Sequence, residues 1–364
     1  MTTPMTGRRP SISPAADPSP TAMRALVLAE FRRMTVEQRP TPEPGPGDVR
    51  LRIVATGICG SDVHGFTGEN GRRSPGQVMG HEAAGIVDAL GAGVESPAVG
   101  TTVVVHPTIS CGRCRSCRMG HDHLCAERSV IGVDPDRSST FADYLVIPAA
   151  NAVPFAGSPD HGAVVEPLAV GWHAVNRGRL EPGENVVVIG GGPIGQAVAL
   201  AAARRGAARV TVTEPVATRR ALVARLGAEA IDPDDAAAFH ALPGADLVVD
   251  AVGDDRSLRA ALELAVPGGR CVLVGMASPR LEVAAYDIST QERAVVGAFC
   301  YTAEEFAETA RWAASAPDLV DPLVSATIPL EEAPAMFGRL ADGAPVAGKV
   351  LIGMTRGAAS AVTR

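Results

Sequence analysis

Four cysteines, Cys111, Cys114, Cys117 and Cys125, fall within fifteen residues in the pattern C-x2-C-x2-C-x7-C. Four thiolates this close satisfy a closed tetrahedral Zn²⁺ site, which orders a loop and performs no chemistry. The spacing departs from the ferredoxin runs, so an iron–sulfur cluster is the weaker reading. His121 and His123 lie between the third and fourth cysteines and read as exposed loop histidines or as competing ligands. A second set is dispersed: Cys59 and Asp62 in Gly57-Ile58-Cys59-Gly60-Ser61-Asp62-Val63-His64, His81 and Glu82 in Gly80-His81-Glu82, and Glu166 in Val165-Glu166-Pro167-Leu168. One thiolate, one imidazole and one carboxylate make an open zinc site with a position left for substrate. Residue types alone leave a structural role open for this second set.

A third pattern suits a phosphate. Gly190-Gly191-Gly192-Pro193-Ile194-Gly195 follows the apolar run Val186 to Ile189 and opens an Ala-rich stretch. It fits G-x-G-x-x-G: Gly190 for the tight turn, Gly192 for backbone approach to a pyrophosphate, Gly195 for close helix–strand packing. The helix N-terminus then offers free N–H groups to the phosphates. Glu214 ends the next strand, where a carboxylate hydrogen-bonds ribose hydroxyls and repels a 2′-phosphate, favouring NAD over NADP. Arg219 or Arg220 is placed to line the adenosine pocket.

These groups need two kinds of scaffold. Residues 23–28, 49–55, 84–90 and 101–105 read as strands separated by Pro- and Gly-rich turns. This first part reads as all-β with almost no helix. After Glu166 short apolar strands at 185–189, 209–213, 246–250, 271–275 and 294–299 alternate with helical stretches at 168–176, 195–205 and up to Leu226. That alternation implies a doubly wound parallel sheet. Lys349 to Gly353 reads as a closing strand that rejoins the first part. Residues 1–21, rich in Pro, Ser, Thr and Ala, read as a disordered tail. The expected division is a catalytic unit of 22–167 and 300–364 around a coenzyme unit of 168–299.

The net charge of -7 argues against nucleic acid, whose binders carry a basic face. No apolar run reaches the length of a membrane span, and no h-region follows Arg8-Arg9, so a cytoplasmic location is expected. Seven cysteines, clustered and odd in number, fit zinc better than disulfides. Lys349 is the only lysine, which reads as codon bias with little bearing on function.

The G-H-E motif, the C-G-S-D-x-x-H segment, the four-cysteine lobe and the E-P-L-A-V…H-A-V stretch occur in this order over residues 23–353. In that combination the sequence resembles the zinc-containing medium-chain dehydrogenase/reductases, closest to the sorbitol, butanediol, idonate and threonine dehydrogenase branch. The resemblance implies an α/β fold: a Rossmann coenzyme domain plus a mostly-β GroES-like catalytic domain with a zinc lobe. It implies one catalytic and one structural Zn²⁺ per chain, NAD, and a homodimer or homotetramer. Cys59 and His81 would bind the catalytic zinc, and Glu82 would ligate it or step aside for water. Glu166 stands where classical liver-type enzymes carry a cysteine ligand, and binds directly or through water. Asp62 would orient His81. Ser61 and His64 would carry the proton to solvent by way of the cofactor ribose, and Val252, Val274, Gly275 and Met276 would lie near the nicotinamide. His106 and His173 read as structural.

The implied reaction is oxidation of a secondary alcohol to a ketone, with hydride passing to the nicotinamide. The substrate would be a polyol, diol, sugar acid or cyclitol. A threonine-type amino alcohol is the main rival, and the Glu214–Arg220 segment also looks like that of aminocyclitol dehydrogenases. The segment from His64 to Gly80 is expected to overlie the substrate, with Glu69, Asn70, Arg72 and Arg73 facing a hydroxyl-rich ligand or water. A zinc-independent quinone or enoyl reductase is opposed by Cys59, His81 and Glu82.

Overall fold

The computed structural model describes residues 21–69, 71–137 and 139–354. Residues 1–20, assigned above to a tail, and Asn70 lie outside the described residues.

The chain opens with an antiparallel hairpin, β1 (Ala22–Glu30) and β2 (Arg33–Pro40). Five strands follow in the first sheet or its rim: β3 (Asp48–Gly57), β4 (Glu82–Leu90), β5 (Thr102–Val105), and then β6 (Thr108–Ile109) and β7 (Ser129–Val130), which pair with each other and flank the cysteine lobe. Next come β8 (Tyr144–Pro148) and β9 (Ala152–Pro154). The coenzyme-type sheet contains β10 (Asn185–Ile189), β11 (Arg209–Thr213), β12 (Glu229–Ile231), β13 (Ala245–Asp250), β14 (Ala265–Leu273) and β15 (Ala294–Gly297). Two last strands, β16 (Val324–Pro329) and β17 (Lys349–Gly353), return to the first sheet, where β17 runs antiparallel to β3.

The first sheet has the order β16-β17-β3-β4-β5-β9, with β8 also on β3. The second has the order β12-β11-β10-β13-β14-β15, and every pairing in it is parallel. In chain order this is 3-2-1-4-5-6, so the order reverses between β10 and β13. A crevice opens beyond the carboxyl ends of those two strands. Their residues are buried valines and isoleucine (Val186, Val187, Val188, Ile189, Val248, Val249), as expected of strands covered on both faces.

One expectation fails in the first part. The segment Gly60–Thr67 is an eight-residue helix, although two glycines mask any helical signal. Cys59 is its N-cap residue, and the buried Asp62 in its first turn accepts the Cys59 N–H at 3.1 Å. An acidic cap at a helix N-terminus is favourable by hydrogen bond and dipole alike. Phe66 on the inner face packs against Phe337, and Phe337 against Phe141. That aromatic cluster seats the helix beside Gly80 and His81.

Candidate active site

Gly80 sits at φ +95°, and a Cβ there would come within 2.5 Å of both the Phe141 ring and Thr140 Oγ1. Only glycine fits, and this tight passage delivers His81 and Glu82 to the start of β4. The donor atoms of Cys59, His81 and Glu82 all lie within 4.8 Å of one another, with Cys59 half-buried and the other two buried. His81 Nδ1 is 3.6 Å from Asp62 Oδ1, which leaves Nε2 as the ring atom for a metal. Asp62 also lies 3.5 Å from Arg73 Nη2. Burial opposes its charge, but His81, Arg73 and the Cys59 N–H together hold its carboxyl below the ordinary range.

Sulfur, imidazole and carboxylate converging this closely in a largely dry site fit Zn²⁺. Glu166 is not part of that tight group. It begins the helix Val165–Arg177 and accepts a 2.8 Å hydrogen bond from the buried Tyr301 hydroxyl. Burial, with repulsion from Glu82, pushes its carboxyl up to about 7.

The sequence alone marks Lys349 as a matter of codon bias, and the structure corrects this. It is buried at the start of β17, and its Nζ donates to Glu82 Oε1 at 2.7 Å and to the Ile58 carbonyl at 3.0 Å. Burial disfavours its charge, and Glu82, together with Cys59 and Glu166, more than offsets that. The available signal was one lysine retained where every other basic residue is arginine. Tyr301 was also missed, since nothing in its sequence surroundings points to Glu166.

Arg73 is a second correction. It is buried against Asp62 rather than turned to a ligand. The segment from His64 to Gly80 is partly helix, and Glu69 pairs with His64 at 3.1 Å. Ser61 and His64 lie three apart on the helix Gly60–Thr67, on one face, and both are exposed.

The four lobe cysteines also converge, with all four sulfurs within 4.8 Å of one another. Cys114 and Cys117 Sγ are 3.5 Å apart, and Cys111 and Cys117 Sγ 4.0 Å. Tetrahedral Zn–S bonds of about 2.3 Å require S···S spacings of about 3.8 Å, so the set fits zinc. Backbone N–H groups of Arg113 and Cys114 lower the Cys111 thiol to about 7, while burial raises Cys117 to about 11. His123, expected to be exposed, is buried and packs edge-on to His173 at 4.8 Å. His173 in turn hydrogen-bonds Glu305 at 2.7 Å, and the buried His106 contacts Asn151.

At the Gly-rich loop, Gly190 has φ +93° and Gly192 caps the helix Pro193–Arg205. A Cβ on Gly195 would fall 1.8 Å from the Gly190 carbonyl, so the helix meets the strand only with glycine there, while Gly192 faces open space. Ile194, beside Pro193, is partly buried against the sheet core. Glu214 is buried, and its two oxygens accept the N–H groups of Gly191 at 2.8 Å and Val216 at 2.9 Å. Arg219 lies 3.9 Å from Glu214 and donates to the Val346 carbonyl, while Arg220 caps the Glu214 and Pro215 carbonyls. Val252, Val274, Gly275 and the exposed Met276 lie at the ends of β13 and β14, tied together by Val274 and Gly275 N–H bonds to Asp250.

The Gly-rich loop and the metal-type cluster are linked through Lys349, the partner of Glu82. A small cavity there is lined by Pro193 and Gln196 on one side and Lys349 on the other. Among the described residues, no helix is long and apolar enough to cross a membrane.

Residues 45–157 match the model of the alcohol dehydrogenase GroES-like domain, and residues 193–315 that of the zinc-binding dehydrogenases. L-galactonate-5-dehydrogenase of Escherichia coli K12 is 32% identical over 314 residues, 84% of this chain and 92% of that protein. The chain belongs to the zinc-containing medium-chain dehydrogenases. As such it is an oxidoreductase of the alcohol dehydrogenase type. A zinc-binding dehydrogenase of Sinorhizobium meliloti 1021, solved with NADP, matches this dehydrogenase with a TM-score of 0.84 and 31% identity over 92% of this chain and all of that one. An alcohol dehydrogenase of E. coli CFT073, RspB, solved with NADH, matches with a TM-score of 0.83 and 28% identity over 92% and 100%.

Proposed function

We propose that this dehydrogenase oxidises a secondary alcohol of a sugar acid or polyol to a ketone, with zinc and NAD⁺. The observation that carries the reading is the Cys59–His81–Glu82 cluster, joined through Lys349 to a cavity beside Pro193 and Gln196, where the helix after the Gly-rich loop begins. The relative acting on L-galactonate supports the substrate class.

When bound, zinc supplies Lewis acidity to the substrate hydroxyl and the nicotinamide supplies a hydride acceptor. The chain's own residues do the rest. Cys59, His81 and Glu82 would hold the metal, with Glu166 beside them. Asp62 fixes the His81 ring through Nδ1. Lys349 donates to Glu82 Oε1 and holds that carboxylate in place. Ser61 and His64 offer the departing proton a route along the exposed helix face. Gly190, Gly192, Pro193 and Gly195 shape the phosphate turn, and Glu214 disfavours a 2′-phosphate. The four-cysteine lobe would hold a second, structural zinc.

The catalytic unit is assigned to 22–167 with 300–364 and the coenzyme unit to 168–299, a division supported by the return of β16 and β17 to the first sheet. A homodimer or homotetramer is the assigned assembly, supported by the exposed edge strand β15.

The test is initial rates of NADH and NADPH formation over aldonates, alditols, diols, cyclitols and threonine, with and without a zinc chelator. Chelator-sensitive NADH formation from an aldonate or alditol is expected. Zinc-loaded protein that turns over threonine alone, or nothing, overturns the assignment.

A further inference from the structure

Gln196 lies in the first turn of the helix Pro193–Arg205 and is fully buried. Both N–H groups of its carboxamide are used. Nε2 donates to the Gly191 carbonyl at 2.8 Å and to the Ala347 carbonyl at 2.7 Å. Two carbonyl partners fix which end of the amide is nitrogen. The oxygen faces away from them and is buried without a partner. Gly191 belongs to the Gly-rich loop, and its own N–H is held by Glu214 at 2.8 Å. The loop residue is therefore gripped on both sides, by Glu214 and by Gln196.

Ala347 belongs to a short strap, residues 346–349, that leads into β17. Its residues are tied down one after another. The Val346 carbonyl accepts Arg219 Nε at 3.1 Å, the Ala347 carbonyl accepts Gln196, and the Gly348 N–H donates to Ser325 Oγ at 2.7 Å. A Cβ on Gly348 would fall 2.3 Å from the Leu323 carbonyl, so the strap runs hard against that backbone. Lys349 follows at once, bound to Glu82 and to the Ile58 carbonyl. Gln196 and Lys349 also line the same small cavity. Arg219, on the helix Ala217–Arg225, lies 3.9 Å from Glu214. Two side chains in contact with the Gly-rich loop or its glutamate thus hold the two carbonyls next to Lys349.

A buried carbonyl that loses its donor is costly, so loop and strap hold one another in register. A coenzyme that orders the loop orders the strap, and a strap in register keeps Lys349 on Glu82. Ordering by one ligand lowers the entropy cost of binding the next. We infer that Gln196 is a positioning residue that couples the coenzyme loop to the Glu82 carboxylate through the strap, so that coenzyme and zinc tighten each other's binding. This inference rests on the zinc- and NAD-dependent reading above and adds a coupling between the two groups.

The test is NADH affinity by fluorescence titration, for wild type, Gln196→Met and Arg219→Met. Each is measured zinc-loaded and after a chelator has removed the catalytic zinc, the removal read as loss of one zinc ion per chain. In wild type the removal is expected to weaken NADH binding at least fivefold, the lower end of typical coupling between sites. In Gln196→Met it is expected to change the affinity less than twofold, with Arg219→Met intermediate. Because the Gln196 oxygen has no partner, the substitution removes the two donated bonds and no others. A purely structural role would weaken NADH binding with and without zinc alike and leave the ratio unchanged. Equal ratios in all three proteins, or wild type whose NADH affinity ignores zinc, overturn the coupling and leave the dehydrogenase reading intact. Zinc-loaded wild type that binds no NADH overturns the coenzyme reading and the coupling with it. If Gln196→Met does not fold, Arg219→Met decides by the same ratio.

Discussion

Lys349 Nζ lies 2.7 Å from Glu82 Oε1, and only 4% and 1% of the two side chains is exposed. The pair joins the first residue of β17 to the first residue of β4, 267 positions apart. In the metal-free protein, removing the lysine leaves the Glu82 carboxylate uncompensated in a dry site. Lys349→Met is therefore expected to destabilise the protein by about 3–5 kcal/mol. In denaturant titrations the double substitution Lys349→Met with Glu82→Gln is expected to recover part of that loss. Additive losses would mean that the two side chains do not act as a pair.

The two sulfur-containing clusters predict separable metal sites. Total metal analysis is expected to find two zinc ions per chain, falling to one in Cys59→Ser and to one in Cys114→Ser. Cys59→Ser is expected to abolish turnover with its melting temperature close to wild type. Cys114→Ser is expected to lower the melting temperature, because four ligands close the loop. Identical behaviour of the two variants contradicts the division of roles.

Glu305 caps its own helix and bonds His173 and Asn176. Burial raises its pKa, but the His173 bond, the Thr302 N–H and Asn176 outweigh this and hold it at about 2. A carboxyl depressed in the fold stabilises fully above its unfolded value of about 4.5. That contribution is lost as pH falls from there towards 2. Glu305→Gln is expected to flatten the stability profile across this window and lower stability at neutral pH. A parallel downward shift at every pH would assign the loss to packing instead.

Glu214 spends both oxygens on the loop N–H groups of Gly191 and Val216. Glu214→Ala is expected to weaken NADH binding at least tenfold and to narrow the preference for NADH over NADPH, read by fluorescence titration of both. An unchanged ratio would move discrimination away from this carboxylate.

His64 is exposed and sits on the same helix face as Ser61. Loss of a proton carrier costs about a hundredfold in kcat, the lower end of the range for positioned acid–base groups. His64→Ala is expected to show that loss, with partial rescue by added imidazole and little change in KM. A change confined to KM would place His64 in binding rather than in proton transfer.

Chemistry that sits in contiguous motifs was legible in the sequence. The Gly-rich loop, the four-cysteine lobe and Gly80-His81-Glu82 are local because each needs a backbone path that few residues allow, such as the φ of +95° at Gly80. The parallel sheet was legible for a similar reason, since strands buried on both faces become unbroken apolar runs. The helix Gly60–Thr67 was not, because its stability comes from Asp62 and from Phe66 on Phe337, and only the latter contact lies far along the chain. Lys349 with Glu82, Tyr301 with Glu166 and Arg73 with Asp62 could not be read at all. Each is a meeting of residues 11 to 267 positions apart and leaves no periodicity behind. The amino-acid sequence determined which groups could do chemistry. The tertiary structure alone decided which were paired and which were buried, because desolvation and charge pairing depend on neighbours in space rather than in order.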